Sequence, residues 1–99
     1  MYFAYSINGT PIRLSDERWF HIVENHDELS GHFFDVLETI EKPELILRGN
    51  QGTFKAVKHI GRKKLLVAIY REISKRDGFV ITAYFLEKNP KGEIIWRPN

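Results

Sequence analysis

The chain has no cysteine. Disulfide frameworks, thiolate nucleophiles and cysteine-ligated zinc are therefore excluded, and the composition suits a reducing compartment. Long hydrophobic runs are missing too. The longest covers residues 65–70, far short of the roughly 20 residues a membrane helix needs, so no membrane partner and a cytoplasmic location are expected. The first seven residues carry no basic leader, and no secretion signal is expected from them. With 7 Gly and 4 Pro there is no collagen-like or low-complexity stretch, and 42% apolar residues argue against disorder. No repeat or linker divides the 99 residues, so residues 1–99 are expected to form one domain.

The net charge is only +2, but it is unevenly placed. Residues 1–47 hold 3 basic and 9 acidic side chains, and residues 48–99 hold 12 basic and 4 acidic ones, giving −6 against +8. Such asymmetry hints at a polyanion-binding surface. It also fits internal pairing between an acidic helical layer and a basic sheet.

Periodicity supplies the elements. An aromatic-rich strand over residues 2–7 closes at Asn8-Gly9, with residues 12–14 returning beside it. Ser15 caps a helix that has Asp16 and Glu17 at its positive end, runs to Asn25 or His26, and carries the stripe Trp19, Ile22, Val23, His26. A second helix over 32–41 aligns Phe33, Val36, Leu37 and Ile40 and stops at Lys42-Pro43. The period then becomes two, with strands expected at 45–48, 53–59, 64–72, 79–87 and 93–96. Leu65, Val67 and Ile69 share one face, and Phe79, Ile81, Ala83 and Phe85 share the face expected to be core. The expected architecture is α+β: an N-terminal strand and two helices packed on one face of a curved antiparallel sheet of about four strands.

His26 is the most informative single residue. It continues the apolar stripe at a helix C-terminus, where the dipole favours imidazolium while burial favours neutral imidazole. Such opposed pulls suit proton transfer. A structural histidine at a helix boundary explains the position more simply. His21 lies off the stripe, five residues away, which is not the three- or four-residue spacing of paired metal ligands. No metal is expected, and His32 and His59 read as surface residues.

Arg71 follows Leu65, Val67 and Ile69 at strand spacing, so its guanidinium is expected to be paired or to line a site rim. Lys55 shares a strand face with Thr53 and Val57. Thr82 and Tyr84 share a face, and Tyr70 falls on the corresponding parity of the neighbouring strand. Rings and hydroxyls beside cations suit single-stranded RNA, although Thr and Tyr are also ordinary strand formers. Arg48-Gly-Asn-Gln-Gly lacks the Lys-Ser/Thr ending of a phosphate loop, and no Gly-x-Ser-x-Gly occurs, so no cofactor is expected.

The segment Arg13-Leu-Ser-Asp-Glu-Arg-Trp-Phe-His-Ile22, with His26 beyond it, resembles the opening helix of small phage and mobile-element nuclease-like domains. These belong to the barnase–EndoU–colicin–RelE-like superfamily of metal-independent ribonucleases. Leu37-Glu-Thr-Ile-Glu-Lys-Pro-Glu44 is similar to that family's second helix, and Val80-Ile-Thr-Ala-Tyr84 to its "Ile-Thr-Ala-Tyr" strand. The likeness spans about residues 13–86. One departure is Asn25-His26-Asp27 where relatives often carry Arg-His-Pro, which removes an arginine from phosphate stabilisation.

The resemblance implies a metal-independent endoribonuclease of toxin or phage-associated type that acts by 2′-OH attack, with His26 and Thr82 as site residues and His21 and Tyr84 beside them. Strand parity and charge add Arg71 and Lys55 as phosphate-contacting groups and Tyr70 as a stacking ring. The implied partners are RNA and a cognate antitoxin or immunity protein. The other reading is a non-catalytic module that binds RNA or protein through the basic sheet.

Overall fold

The computed structural model describes residues 2–99. Strands β1 (Tyr2–Tyr5) and β2 (Pro11–Leu14) form a hairpin. Helix α1 (Asp16–Asn25), a 3₁₀ turn (Asp27–Leu29) and helix α2 (Phe33–Glu41) follow. Strands β3 (Leu45–Arg48), β4 (Phe54–His59), β5 (Leu65–Ser74), β6 (Asp77–Leu86) and β7 (Ile94–Trp96) complete the chain. The fold is α+β, as the sequence implied. The sheet is larger than expected, with seven strands in the order β1-β2-β6-β5-β4-β3-β7. It is also mixed, not antiparallel, because β2 runs parallel to β6 through Ile12↔Gly78 and Arg13↔Phe79. A crossover through two helices and three strands separates β2 from β6, which is what lets them run in the same direction.

Each helix forms where its apolar stripe and caps agree. Ser15 Oγ accepts the Arg18 N–H at 3.1 Å, a cap worth about 0.5–2 kcal/mol. Val36, Leu37 and Ile40 of α2 are buried against the sheet. The main core lies on this face, among Ile12, Leu14, Ile22, Ile46, Leu66 and Tyr70, each fully buried large side chain contributing roughly 1.5–3 kcal/mol. Edge-to-face rings lock the N-terminal strand to both helices, with Tyr2–Phe33 at 5.4 Å and Trp19–Phe33 at 5.3 Å.

Two features depart from simple alternation. The β5–β6 ladder shifts register between Ile69 and Tyr70, pairing Ile69 with Thr82 but Tyr70 with Val80. Ile81 is the extra residue of a β-bulge, and it exchanges faces along β6. Ala83 and Phe85 face the helices as expected. Phe79, expected in the core, instead shares the opposite face with its partner Arg71, and Val80 takes the core position.

The second departure is an apolar cluster on the sheet face away from the helices: Leu47, Val57, Leu65 and Val67, with Leu45, Ile69, Tyr84 and Leu86 partly buried around them. The 87–93 connection crosses this face from β6 to β7. Lys55 Nζ donates to the Lys91 carbonyl at 3.3 Å, and Gly92 closes onto Leu47 and the Arg48 carbonyl. Between strap and sheet lies a cavity of about 250 Å³, lined by Leu45, Leu47, Val57, Leu65, Pro90 and Ile94 among others.

Gly78 marks the closest approach in the parallel pair. A Cβ there would sit 2.5 Å from the Arg71 carbonyl oxygen and 2.6 Å from Ile12 Cδ1. Gly78→Ala is expected to destabilise the fold by about 1–3 kcal/mol through overpacking, lowering Tm by at least about 4 °C in a thermal melt followed by circular dichroism. An unchanged Tm would show that β2 and β6 separate without cost. Among the described residues no helix is long and apolar enough to cross a membrane.

Candidate functional site

β2 pairs with β6 only at its first residues, so Val80–Leu86 has no strand on that side. α1 covers this edge. Arg18 lies beside Phe79 and Val80 at the start of the helix, Ile22 enters the core midway, and His26 reaches Tyr84 at its end. The helix straddles the sheet edge instead of lying over a face. A residue continuing its apolar stripe can therefore meet side chains of the opposite sheet face.

The His26 and Tyr84 rings stand 6.1 Å apart at 42°. His26 is 35% exposed, so the imidazole is neither sealed in the core nor free in solvent. Its Nδ1 lies 3.6 Å from Glu28 Oε1, too far for a hydrogen bond. The charged group beside the ring is thus a carboxylate, and Lys55, Arg71 and Thr82 make no hydrogen bond to it. Burial pushes the Tyr84 hydroxyl above its ordinary pKa, so it stays protonated at neutral pH and can donate a hydrogen bond but cannot serve as a base.

Thr82 is two residues from Tyr84 on the same face, opposite Ile69, and partly exposed. Lys55 is opposite Ile69 on the other side and is engaged with the strap carbonyl. Arg71 shares this face through its pairing with Phe79. It forms no ion pair, and its Nε is buried without a hydrogen-bond partner. An unsatisfied buried donor costs about 1–3 kcal/mol, so the Arg71 placement is held against a cost by the packing around it.

Two expectations fail. Tyr70, read as a substrate-stacking ring, is 1% exposed on the helix-side face and packs on Phe54 at 5.4 Å. Burial pushes its hydroxyl pKa up strongly, with the charge of Glu72 adding to the shift. The bulge at Ile81 separates its parity from that of Thr82. His21 points to solvent at 57% exposure, 3.4 Å from Glu24, on a different face of α1 from His26, and does not join the His26–Tyr84 pair.

The other histidines are tied to carboxylates. His32 Nδ1 meets Asp35 at 2.8 Å and His59 Nδ1 meets Glu44 at 2.7 Å. The His59 hydrogen bond holds the Glu44 carboxyl below its ordinary pKa. Among the described residues no three His, Asp or Glu side chains gather as metal ligands.

Sequence reasoning missed Phe3, Arg13 and Phe79. The register places Phe3 opposite Arg13, Arg13 beside Phe79, and Phe79 opposite Arg71, forming one row on the face that carries Thr82 and Tyr84. The parallel pairing and the bulge create this row, and neither has a signal in local periodicity. No protein-family model, no curated protein and no solved structure matches the chain.

Proposed function

We propose that the protein is a metal-independent endoribonuclease acting in the cytoplasm, of the toxin or phage-associated type that the motifs in residues 13–86 resemble. The observation that carries this reading is the meeting of His26 with Tyr84 at the margin of the sheet face bearing Thr82 and the orphaned Arg71 guanidinium. His26 removes the ribose 2′-OH proton, and the freed oxygen attacks the adjacent phosphorus. The P–O5′ bond breaks, and the departing oxygen takes up a proton from imidazolium or water. The products end in a 2′,3′-cyclic phosphate and a 5′-OH. Thr82 and the protonated Tyr84 hydroxyl position the substrate, and Arg71, farther along the face opposite Phe79, offers charge to the RNA backbone away from the scissile phosphate.

The test is incubation with mixed-sequence RNA in excess EDTA. Cleavage that leaves cyclic phosphate ends, with an all-2′-deoxy strand left intact, is expected. Persistent integrity of the RNA, or equal cutting of the deoxy strand, rejects the mechanism.

A second reading, a non-catalytic module that binds RNA through the same face, is favoured by the carboxylate beside His26 in place of a cation. It predicts salt-sensitive binding without turnover. A cognate neutralising protein belongs to the first reading and would act by covering this face.

A further inference from the structure

We propose that the row Phe3–Arg13–Phe79–Arg71 is a stacking track for unpaired bases, which makes the substrate single-stranded RNA and not a duplex; the inference deepens the ribonuclease reading and rests on it for the identity of the nucleic acid. The row crosses four strands, β1, β2, β6 and β5, on one face. Neighbouring strands lie about 5 Å apart, which puts the two phenyl rings, and likewise the two guanidinium groups, on the order of 10 Å apart.

Phe3 and Arg13 are prepared for such a ligand. Phe3 is 50% exposed on an edge strand, and Tyr5, 53% exposed, holds it edge-on at 5.2 Å. Arg13 is held by Asp77 through Nε–Oδ1 at 2.8 Å and Nη2–Oδ2 at 3.2 Å. This clamp fixes the guanidinium plane beside Phe79 and leaves Nη1 free. Arg71 carries the buried Nε that no protein group satisfies.

Alternating rings and guanidinium planes match the two needs of a single strand, flat surfaces for base faces and donors for the backbone. A duplex keeps its base faces stacked on one another and cannot use the rings. The strap lies over the β3–β4 side of the face, so the strand's path lies over β1, β2, β6 and the Arg71 end of β5, past Thr82 toward His26.

The experiment measures anisotropy of a labelled, uncleavable 2′-O-methyl oligomer of about eight nucleotides with wild type, Phe3→Ala, Phe3→Tyr and Tyr2→Ala. Tyr2 is equally exposed but packs on the helix side. Phe3→Ala is expected to weaken binding roughly 5- to 100-fold, the loss of one stacked base. Phe3→Tyr restores it, Tyr2→Ala leaves it unchanged, and a duplex of the same sequence competes poorly.

Equal effects of Phe3→Ala and Tyr2→Ala, or equal affinity for duplex, overturn the track. The two proposals fail separately. If the oligomer binds as described but no RNA is cut, the track stands and the nuclease reading falls. If RNA is cut but Phe3→Ala changes neither binding nor cleavage, the nuclease reading stands and the track falls.

Discussion

His26→Ala is expected to reduce the rate of RNA cleavage about 10²- to 10⁴-fold, the usual contribution of a positioned general base, while leaving thermal stability nearly unchanged. The partial exposure of the ring makes the separation possible. Truncation opens no sealed cavity, because the neighbours in the core are Ile22 and Leu29 and not the imidazole. Tyr84→Phe is expected to have a smaller effect, since it removes one hydrogen-bond donor and keeps the ring. Cleavage of an RNA with a single scissile bond, followed under single-turnover conditions, measures both variants. Undiminished cleavage by His26→Ala would remove His26 from the mechanism and leave the binding-module reading.

Tyr70→Ala should cost about 3–5 kcal/mol, the range for truncating a large buried aromatic ring. Against a total stability of roughly 5–15 kcal/mol, that is enough to shift the urea midpoint severely or to unfold the protein. An exposed substrate-stacking tyrosine would cost no more than about 0.5 kcal/mol, so urea unfolding separates the two placements. Tyr70→Phe keeps the packing and supplies a second readout. Burial raises the folded-state pKa of Tyr70 above the unfolded value of about 10. Above that pH the unfolded chain releases a proton that the folded chain retains, so stability falls as pH rises. Tyr70→Phe should remove that alkaline slope while leaving stability at pH 7 largely intact. A slope that persists would mean other groups cause it.

Much of the fold is legible locally. Both helices announce themselves through their stripes and their ends, and the β1–β2 hairpin through Asn8-Gly9. The failures come from β5 and β6. Residues 65–70 are apolar without interruption, a pattern that arises when both faces of a strand are covered. Period two could not tell which face met the helices. The strap that faces Leu65 and Val57 is polar at Glu87, Lys88, Asn89, Lys91 and Glu93 and does not look like a covering layer.

Asp77-Gly78, a pair of residue types that favours hairpin turns, does not form the turn between β5 and β6. The turn residues are Lys75 and Arg76, while Asp77 pairs with Ser74 inside the ladder. His26, Thr82 and Tyr84 can be singled out from the sequence as candidates, but the approach of His26 to Tyr84 cannot. Their meeting depends on α1 running along a sheet edge, a consequence of β2 stopping at Leu14 while β6 continues to Leu86.

The partnership of β2 with β6 joins residues more than sixty positions apart, as does that of Ser6 with Glu72, at 2.8 Å. Such distant pairings delay the completion of folding. During synthesis the imidazole-bearing helix leaves the ribosome long before the strand it must border. A growing chain therefore cannot set His26 against Tyr84 until its final third has emerged, and the proposed ribonuclease reading expects truncated translation products to be inert toward RNA.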